Sequence, residues 1–201
     1  MKKALILSLG LIMGLALNAA EGNLLKNGDF EKIKKSTKSS DKYLLKKIKE
    51  GWNFGTGPLA ILPTDWVPNI GAAKLEVMKK ANDAANVHSG EYALKITAIK
   101  GAHIYTKGSK AGTYDISYWA KGNGKIMIVA YCYCTDKKTR TYVLLNNKVA
   151  GDEWKEFKKT VDLAKACPQA ASFALAIAVA KDGVVFIDDV TLTPAAAPAG
   201  K

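Results

Sequence analysis

Arginine and histidine are scarce in this chain, and their scarcity limits the kinds of binding and catalysis that we expect of it. One arginine, Arg140, stands among 30 basic residues, and the two histidines are His88 and His103. Sequence-specific reading of nucleic acid favours the forked donors of arginine, so we expect no specific nucleic-acid partner. The sequence contains no H-E-x-x-H, no G-x-S-x-G and no phosphate-binding loop. We therefore expect a protein that is not an enzyme.

Cysteine is also rare, with Cys132, Cys134 and Cys167 making an odd count that leaves one thiol over. Cys132 and Cys134 lie two apart on one strand face, too constrained to pair with each other. Two interpretations stay open: a disulfide from Cys167 to one of them, or three buried thiols. A C-x-C with one distant cysteine is a poor metal signal, so we expect no cysteine-bound metal.

Long apolar runs are confined to the start of the chain. Lys2 and Lys3, the apolar stretch 4–17 and the small residues up to Ala20 follow the pattern of a secretory signal peptide, with cleavage expected after Ala20 or Ala19. The stretch is shorter than the roughly 20 residues of a membrane-spanning helix, and we expect no transmembrane segment. The mature product is expected to be secreted, periplasmic or at the cell surface.

The formal net charge is +12, and its densest contribution lies in residues 32–49, where eight lysines face one acid, Asp41. Within this stretch residues 43–50 are either a short helix or part of an exposed loop. The whole stretch is either a solvated insertion or a patch that faces anionic polymers.

Short segments of alternating polarity, separated by turn residues, make up most of the chain. The stretch 112–134 predicts two strands joined by a tight turn at 122–124, where glycine and asparagine tolerate positive φ. Residues 51–69 predict a long irregular loop. Some ten such strands with little helix predict an all-β antiparallel β-sandwich over 21–193. A jelly roll accommodates the irregular loop better than a closed barrel, and the tail 194–201 is expected to be disordered.

Five segments stand in the order and spacing of a known family: NLLKNGDFE at 23–31, HSGEYALKIT at 88–97, GTYDISYWAKG at 112–122, EWKEFKKTVDL at 153–163 and FIDDVTL at 186–192. They resemble galactose-binding-like jelly rolls, in particular carbohydrate-binding modules of families four, nine and twenty-two. The resemblance covers residues 23–193. It implies two sheets of four or five strands, a structural calcium near the chain ends, and glycans bound in a concave groove or at the loop tips.

Three aromatic residues lie on the strand face opposite the predicted core face: Trp119, Tyr131 and Tyr133. Sugar rings stack on such side chains, and the alanines at 174, 176 and 178 would leave a low floor beside them. The alternatives are that this face is a second packed layer, that residues 32–69 cover it, or that the ligand is held at the loops. The loop candidates are Trp52, Trp66 and His88.

The implied calcium needs several hard oxygens in one place. If the two chain ends lie side by side, Glu31 and Asp188 are the preferred side-chain ligands, with Asp29 nearby and backbone carbonyls completing the shell. The alternative is that Asp188 accepts backbone N–H bonds at a strand end.

The leading hypothesis is an exported, non-catalytic carbohydrate-binding module for a neutral or anionic polysaccharide. The alternative is a structural or protein-interaction jelly roll of the cell envelope or of an extracellular assembly.

Overall fold

The computed structural model describes residues 22–107, 110 and 112–195. The predicted signal peptide and residues 196–201 of the predicted tail lie outside this part. Within it the strands are β1 (Ile33–Thr37), β2 (Leu59–Pro63), β3 (Val67–Lys79), β4 (Tyr92–Lys107), β5 (Thr113–Cys134), β6 (Thr139–Asp162), β7 (Ala170–Val179) and β8 (Val184–Pro194). The helices are α1 (Lys42–Lys49) and α2 (Leu163–Ala166), with a 3-10 turn at Ala84–Asn86. No helix of the described residues has the length and apolar character to cross a membrane.

The long strands β3, β4, β5 and β6 each turn a corner and take part in two layers. The first layer has the order β3-β4-β8-β5-β6, and β8 pairs with 94–97 of β4 and 114–123 of β5. The second has the order β3-β4-β7-β5-β6, and β7 pairs with 102–107 of β4 and 126–134 of β5. All these pairs are antiparallel. The predicted all-β jelly-roll sandwich is confirmed, with five strands in each layer.

The hairpin predicted at 122–124 is wrong, because β5 runs on through this point as one strand. Gly122 has φ +111°, and its pairing partner in β6, Gly151, has φ +105°. Hydrogen bonding to β6 continues on both sides of a register shift between Ala120 and Gly122. The positive φ of these two glycines therefore allows a β-bulge at which β5 and β6 bend and pass from one layer to the other.

The core lies between the layers and follows the predicted alternation. Its members on β5 are the even-numbered residues from Tyr114 to Ala120 and from Ile126 to Cys134, and β7 contributes 173, 175, 177 and 179. Cys132 forms a disulfide with Cys167, while Cys134 is an unpaired, buried thiol. One of the two open cysteine interpretations, the bridge to Cys167, is thus the one that the fold adopts.

Residues 32–69 close the sandwich at its β3 edge. β1 pairs with β2 in a separate ribbon, and α1 begins after Asp41, whose carboxylate accepts the backbone N–H groups of Tyr43 and Leu44. Leu44, like several apolar residues that follow α1, belongs to the main core. The segment 51–69, predicted as an irregular loop, therefore contains β2 and the start of β3. The prediction missed these strands because they form where the apolar side chains of the segment pack into the core.

The two ends of the described chain lie side by side, as the resemblance implies. Leu24 N–H donates to the carbonyl of Leu192 at 2.8 Å, and Val190 N–H donates to the carbonyl of Gly28 at 2.8 Å. A side chain at position 28 would be 2.0 Å from the Val190 carbonyl oxygen. Only glycine allows this close approach, which explains its place in the NGDFE segment.

Candidate functional site

The three aromatic residues predicted to form one surface lie on opposite sides of the molecule. Even-numbered residues of β5 face the core in both layers, so odd-numbered residues point outward from whichever layer they occupy. Trp119 precedes the corner at Gly122 and lies outside the first layer. Tyr131 and Tyr133 follow it and lie outside the second. The prediction of a single aromatic surface was wrong, because strand alternation does not show that a strand changes layer.

Trp119 belongs to a cluster that we call the indole cluster: His88, Trp119, Lys121 and Trp154. The His88 ring stacks on Trp119 with centroids 3.9 Å apart and an interplanar angle of 17°, and Trp154 lies 5.5 Å from His88. The carbonyl of Ala85 accepts hydrogen bonds from Lys121 Nζ at 2.8 Å and from Trp154 Nε1 at 3.2 Å. The loop that carries Ala85 and His88 thus packs over Trp119, which is half-buried.

Two acidic side chains, one near each end of the described chain, hold the loop 88–92. Asp188 is fully buried and accepts the backbone N–H groups of His88 at 3.1 Å, Ser89 at 3.2 Å and Asp189 at 2.8 Å. Glu31 accepts the N–H groups of residues 91 and 92, at 2.9 and 3.0 Å. Three of the segments that carry the family resemblance, NGDFE, HSGEY and FIDDV, therefore meet here, and we call this set of backbone hydrogen bonds the clamp.

Asp189, His88 and Ser89 bring together residue types that occur in nucleophilic catalysis. The His88 Nδ1 and the Ser89 hydroxyl each lie 2.7 Å from an oxygen of Asp189. A catalytic relay needs the serine bonded to the histidine and the histidine to the carboxylate. Here both bond to the same carboxylate and the histidine ring is stacked on Trp119, so the group serves to fix the loop.

The predicted calcium ligands do not form a cage for the ion. Both carboxyl oxygens of Asp188 and both of Glu31 accept hydrogen bonds from backbone N–H groups. Asp29 Oδ1 accepts a long hydrogen bond, of 3.4 Å, from the N–H of Glu31. Burial, and then the charge of Asp189, raises the pKa of Asp188 to about 8. Among the described residues no three His, Cys, Asp or Glu side chains are placed to hold a metal ion. Calcium prefers six to eight converging oxygens, and the predicted side chains of the described residues do not supply them by themselves.

Trp66 and Trp52 are core residues, which corrects their interpretation as loop ligands. Trp66 is 1% exposed, packs edge-on against Phe30 at 5.6 Å and donates its indole N–H to the Asn27 carbonyl. Trp52 is 2% exposed and stacks on Phe54. The irregular segment that contains them folds inward at the β3 edge, so neither ring can meet a ligand.

The outer face of the second layer carries Tyr105, Tyr131 and Tyr133, and we call it the tyrosine face. Its members are His103, Tyr105, Met127, Val129, Tyr131, Tyr133, Val143, Ala176 and Ala178. Val129, Ala176 and Ala178 are buried, with Tyr105, Met127 and Tyr131 packed against them. Ala176 and Ala178 are fully buried, so larger side chains of β4 and β5 cover the predicted low floor, and this part of the face is packed as in the alternative of a second layer.

Hydrogen bonding fixes the rings of this face. The Tyr131 hydroxyl lies 2.6 Å from His103 Nδ1. Burial lowers the pKa of His103, which keeps the ring neutral at neutral pH. Burial, and then the neighbouring Tyr133, raises the pKa of Tyr131. The site therefore presents neutral hydroxyl and imidazole groups beside Tyr133, which is 45% exposed.

Two residues of this face, His103 and Tyr105, were missed as binding candidates. The signal was available, because His103 and Tyr105 alternate with the apolar Ala102 and Ile104 and therefore face away from the apolar side of this segment. The sequence did not show that His103 lies near Tyr131, because β4 and β5 are not paired here and β7 lies between them.

The lysine-rich segment 32–49 divides into structural and exposed lysines. Lys38 Nζ donates to the carbonyls of Gly55 and Gly57, at 2.6 and 2.7 Å. Lys47 is buried, forms an ion pair with Glu50 at 2.7 Å and also donates to the Asn69 carbonyl. The remaining six lysines of the segment are exposed.

Comparison with known proteins reveals similarity of fold. No family model matches the chain, and no curated protein matches it. The tandem CBM22-1–CBM22-2 domain of Paenibacillus barcinonensis Xyn10C aligns with a TM-score of 0.55 and 14% identity, over 69% of this chain and 44% of that one. The single CBM22-1 xylan-binding domain of the same protein aligns with a TM-score of 0.53 and 14% identity, over 72% of this chain and 93% of that one.

A viral protein has a similar fold. The enzymatically active domain of bacteriophage CBA120 tailspike protein 4 aligns with a TM-score of 0.53 and 10% identity, over 85% of this chain but 21% of that one. The chain thus spans about a fifth of the tailspike domain and most of a single xylan-binding domain. The protein has the jelly-roll β-sandwich of carbohydrate-binding modules, in agreement with the fold that its sequence resembles.

Proposed function

We propose that this protein is a carbohydrate-binding module that holds a polysaccharide on the tyrosine face without chemical conversion. The observation that carries the proposal is the pair of outward-facing rings Tyr131 and Tyr133 on one strand, of which Tyr133 is 45% exposed. Sugar rings present apolar C–H surfaces that stack on aromatic rings, and their hydroxyl groups need polar partners. This face offers side chains suited to both kinds of contact.

The polar contacts come from neutral groups. The Tyr131–His103 pair offers a donor and an acceptor at one point. Asn146 is exposed and lies opposite Met127 on the neighbouring strand. Amide and hydroxyl groups bind the hydroxyls of a neutral sugar without the desolvation cost of a charged group.

We further propose that the protein is exported. Residues 1–20 have the pattern of a signal peptide, and the disulfide between Cys132 and Cys167 is of a kind that persists in oxidising compartments. The intact mass of the protein recovered from the medium or the periplasm tests this, with cleavage expected after Ala20 or Ala19. Retention of the full leader on the recovered protein would contradict it.

Affinity electrophoresis against a panel of neutral and acidic polysaccharides tests the binding proposal. Tyr133→Ala should abolish the retardation caused by the bound glycan while leaving the free energy of unfolding within about 0.5 kcal/mol of the parent. Leu59→Ala is the matched control, because Leu59 is similarly exposed but lies on β2, away from the tyrosine face. Equal retardation of the parent and Tyr133→Ala would refute the tyrosine face as the binding surface.

A protein partner is the second candidate for the same face. Val143 is 55% exposed opposite Val129, which gives the face an aliphatic edge that a sugar does not require. A structural or interaction role in the cell envelope or an extracellular assembly would use this edge. Absence of retardation by every polysaccharide of the panel would favour that role.

A further inference from the structure

We propose that Lys125 and Lys148, at one end of the tyrosine face, bind the anionic substituent of an acidic polysaccharide, a carboxylate or a sulfate. The inference rests on the proposed function and narrows it to a ligand class. It places the anion-binding site on β5 and β6 rather than in the lysine-rich segment 32–49.

The two lysines are directly opposite each other in the antiparallel pairing of β5 with β6. Both are exposed and point outward, since the flanking Ile126 and Val149 are buried in the core. Like charges directly opposite on neighbouring strands destabilise a sheet. Neither ammonium forms an ion pair with a carboxylate of the described residues. An anion between them would offset the repulsion.

A cleft accompanies the pair. It is a shallow surface depression of about 500 Å³ that is wide open to solvent, and its lining residues are Asn123, Gly124, Lys125, Asn146 and Lys148. The two asparagine amides add neutral donors and acceptors beside the two ammonium groups. This combination suits a charged sugar, whose anionic group binds the lysines while its hydroxyl groups bind the amides.

The cleft is continuous with the tyrosine face. Asn146 lines the cleft and is also the strand partner of Met127. From Lys125 to Tyr131 the strand advances six residues, roughly 20 Å at the usual rise per residue. A polysaccharide laid along β5 would therefore stack on the tyrosines at one end and place a charged substituent at the lysines at the other.

Two matched pairs of polymers separate charge from sugar recognition. Homogalacturonan in its de-esterified and methyl-esterified forms tests a carboxylate, and dextran sulfate beside dextran tests a sulfate. Affinities are measured by isothermal titration at low and moderate salt, because diffuse attraction is lost as screening increases. We expect the parent to prefer a charged member over its neutral partner at both salt concentrations.

Variants of equal charge locate the site. The double variant Lys125→Gln with Lys148→Gln should lose about tenfold or more in affinity for the preferred charged polymer. The control, Lys34→Gln with Lys35→Gln, removes the same charge from exposed positions of β1 and should change affinity little. Lys148→Glu should abolish binding of the anion and raise the thermal midpoint, since it replaces repulsion by an opposite-charge pair. That rise excludes misfolding as the cause of lost binding.

The outcomes separate this inference from the proposed function. Equal losses in the two double variants, or equal affinity of the parent for charged and neutral members, would overturn the lysine site. Binding of a neutral polysaccharide that depends on Tyr133 but not on Lys125 and Lys148 would overturn the lysine site and leave the proposed function standing. Failure to bind any polysaccharide would overturn both.

Discussion

The imidazole of His88 lies flat on the indole of Trp119, with ring centroids 3.9 Å apart. The stack joins the loop 88–92 to the outer face of the first layer. The same loop is held by the carboxylates of Glu31 and Asp188 through backbone hydrogen bonds. An aromatic residue that was expected to meet a sugar therefore serves to anchor a loop.

Replacing Trp119 by alanine should lower stability and leave the sugar-binding face intact. We expect the free energy of unfolding to fall by about 2–3 kcal/mol, less than for a fully buried tryptophan, because Trp119 is half-buried. Urea denaturation measures the loss. The folded fraction of Trp119→Ala should bind polysaccharide as the parent does, and loss of binding at full stability would contradict our placement of the site.

The corner of β5 provides a second test with a matched pair of glycines. Gly122 and Gly151 pair with each other and both have positive φ. A Cβ at position 122 would lie 2.4 Å from the Val184 carbonyl oxygen, whereas one at 151 would meet nothing within 4 Å. Gly151→Ala should cost about 1–2 kcal/mol from backbone strain alone. Gly122→Ala should cost clearly more in the same urea titration, and equal costs would contradict the corner geometry.

The sequence predicted the layers of this fold better than their connections. Alternation along 112–134 assigned the core faces correctly, because burial of every second residue is a local property. The corner at Gly122 was taken for a hairpin, since a glycine with positive φ serves a turn and a bulge equally well. Which of the two occurs depends on β6, some 30 residues further along the chain, and local pattern carries no information about that pairing.

The candidate site was predicted in part for the same reason. Tyr131 and Tyr133 are on the proposed face, but Trp119 is on the other side of the molecule and Trp66 is in the core. The alternation of residues along a strand distinguishes core-facing from outward-facing side chains. It does not show on the outer face of which layer an outward-facing side chain lies. For Asp188, the sequence left open a choice between metal ligand and acceptor of backbone N–H groups, and the contacts found are those of the acceptor.

Chelation gives a direct test of the clamp. Because the oxygens of Glu31 and Asp188 already accept backbone N–H groups, we expect the melting temperature to be the same with a chelator and with added calcium. A ligand that binds the folded state raises the midpoint by mass action. A fall of the midpoint on chelation that calcium reverses would show that the clamp opens to hold the ion.

Substitution of the clamp residues complements that experiment. Asp188→Ala leaves three backbone donors without their acceptor, at about 1–3 kcal/mol for each that stays buried. We therefore expect a loss of several kcal/mol in calcium-free buffer. Asp29→Ala is the control, since its one described hydrogen bond is long, at 3.4 Å, and its effect should be small. Equal effects would contradict the clamp.

The disulfide makes a separate contribution to stability. Cys132 and Cys167 are 35 residues apart and enclose all of β6. On the chain-entropy estimate, opening such a loop costs about 4 kcal/mol. Cys167→Ser should show this loss in urea denaturation, whereas Cys134→Ala, which keeps the bridge and places no hydroxyl in the core, should show a smaller loss. Peptide mapping without reduction provides the check, and a bridge that contains Cys134 would contradict the assignment.

His103 should make stability depend on pH in a defined window. Burial lowers its pKa below the ordinary value of 6.5, so the folded state binds a proton less readily than the unfolded chain. Well above pH 6.5 both states are neutral and the residue has no effect. As pH falls below this value the unfolded chain is protonated first, and the free energy of unfolding decreases until the folded-state pKa is reached.

His103→Gln removes the titrating group, so the difference in free energy of unfolding between variant and parent should change across this window and stay constant above it. Urea titrations of both proteins over a pH series measure that difference, and a difference independent of pH would show that the ring is not desolvated beside Tyr131.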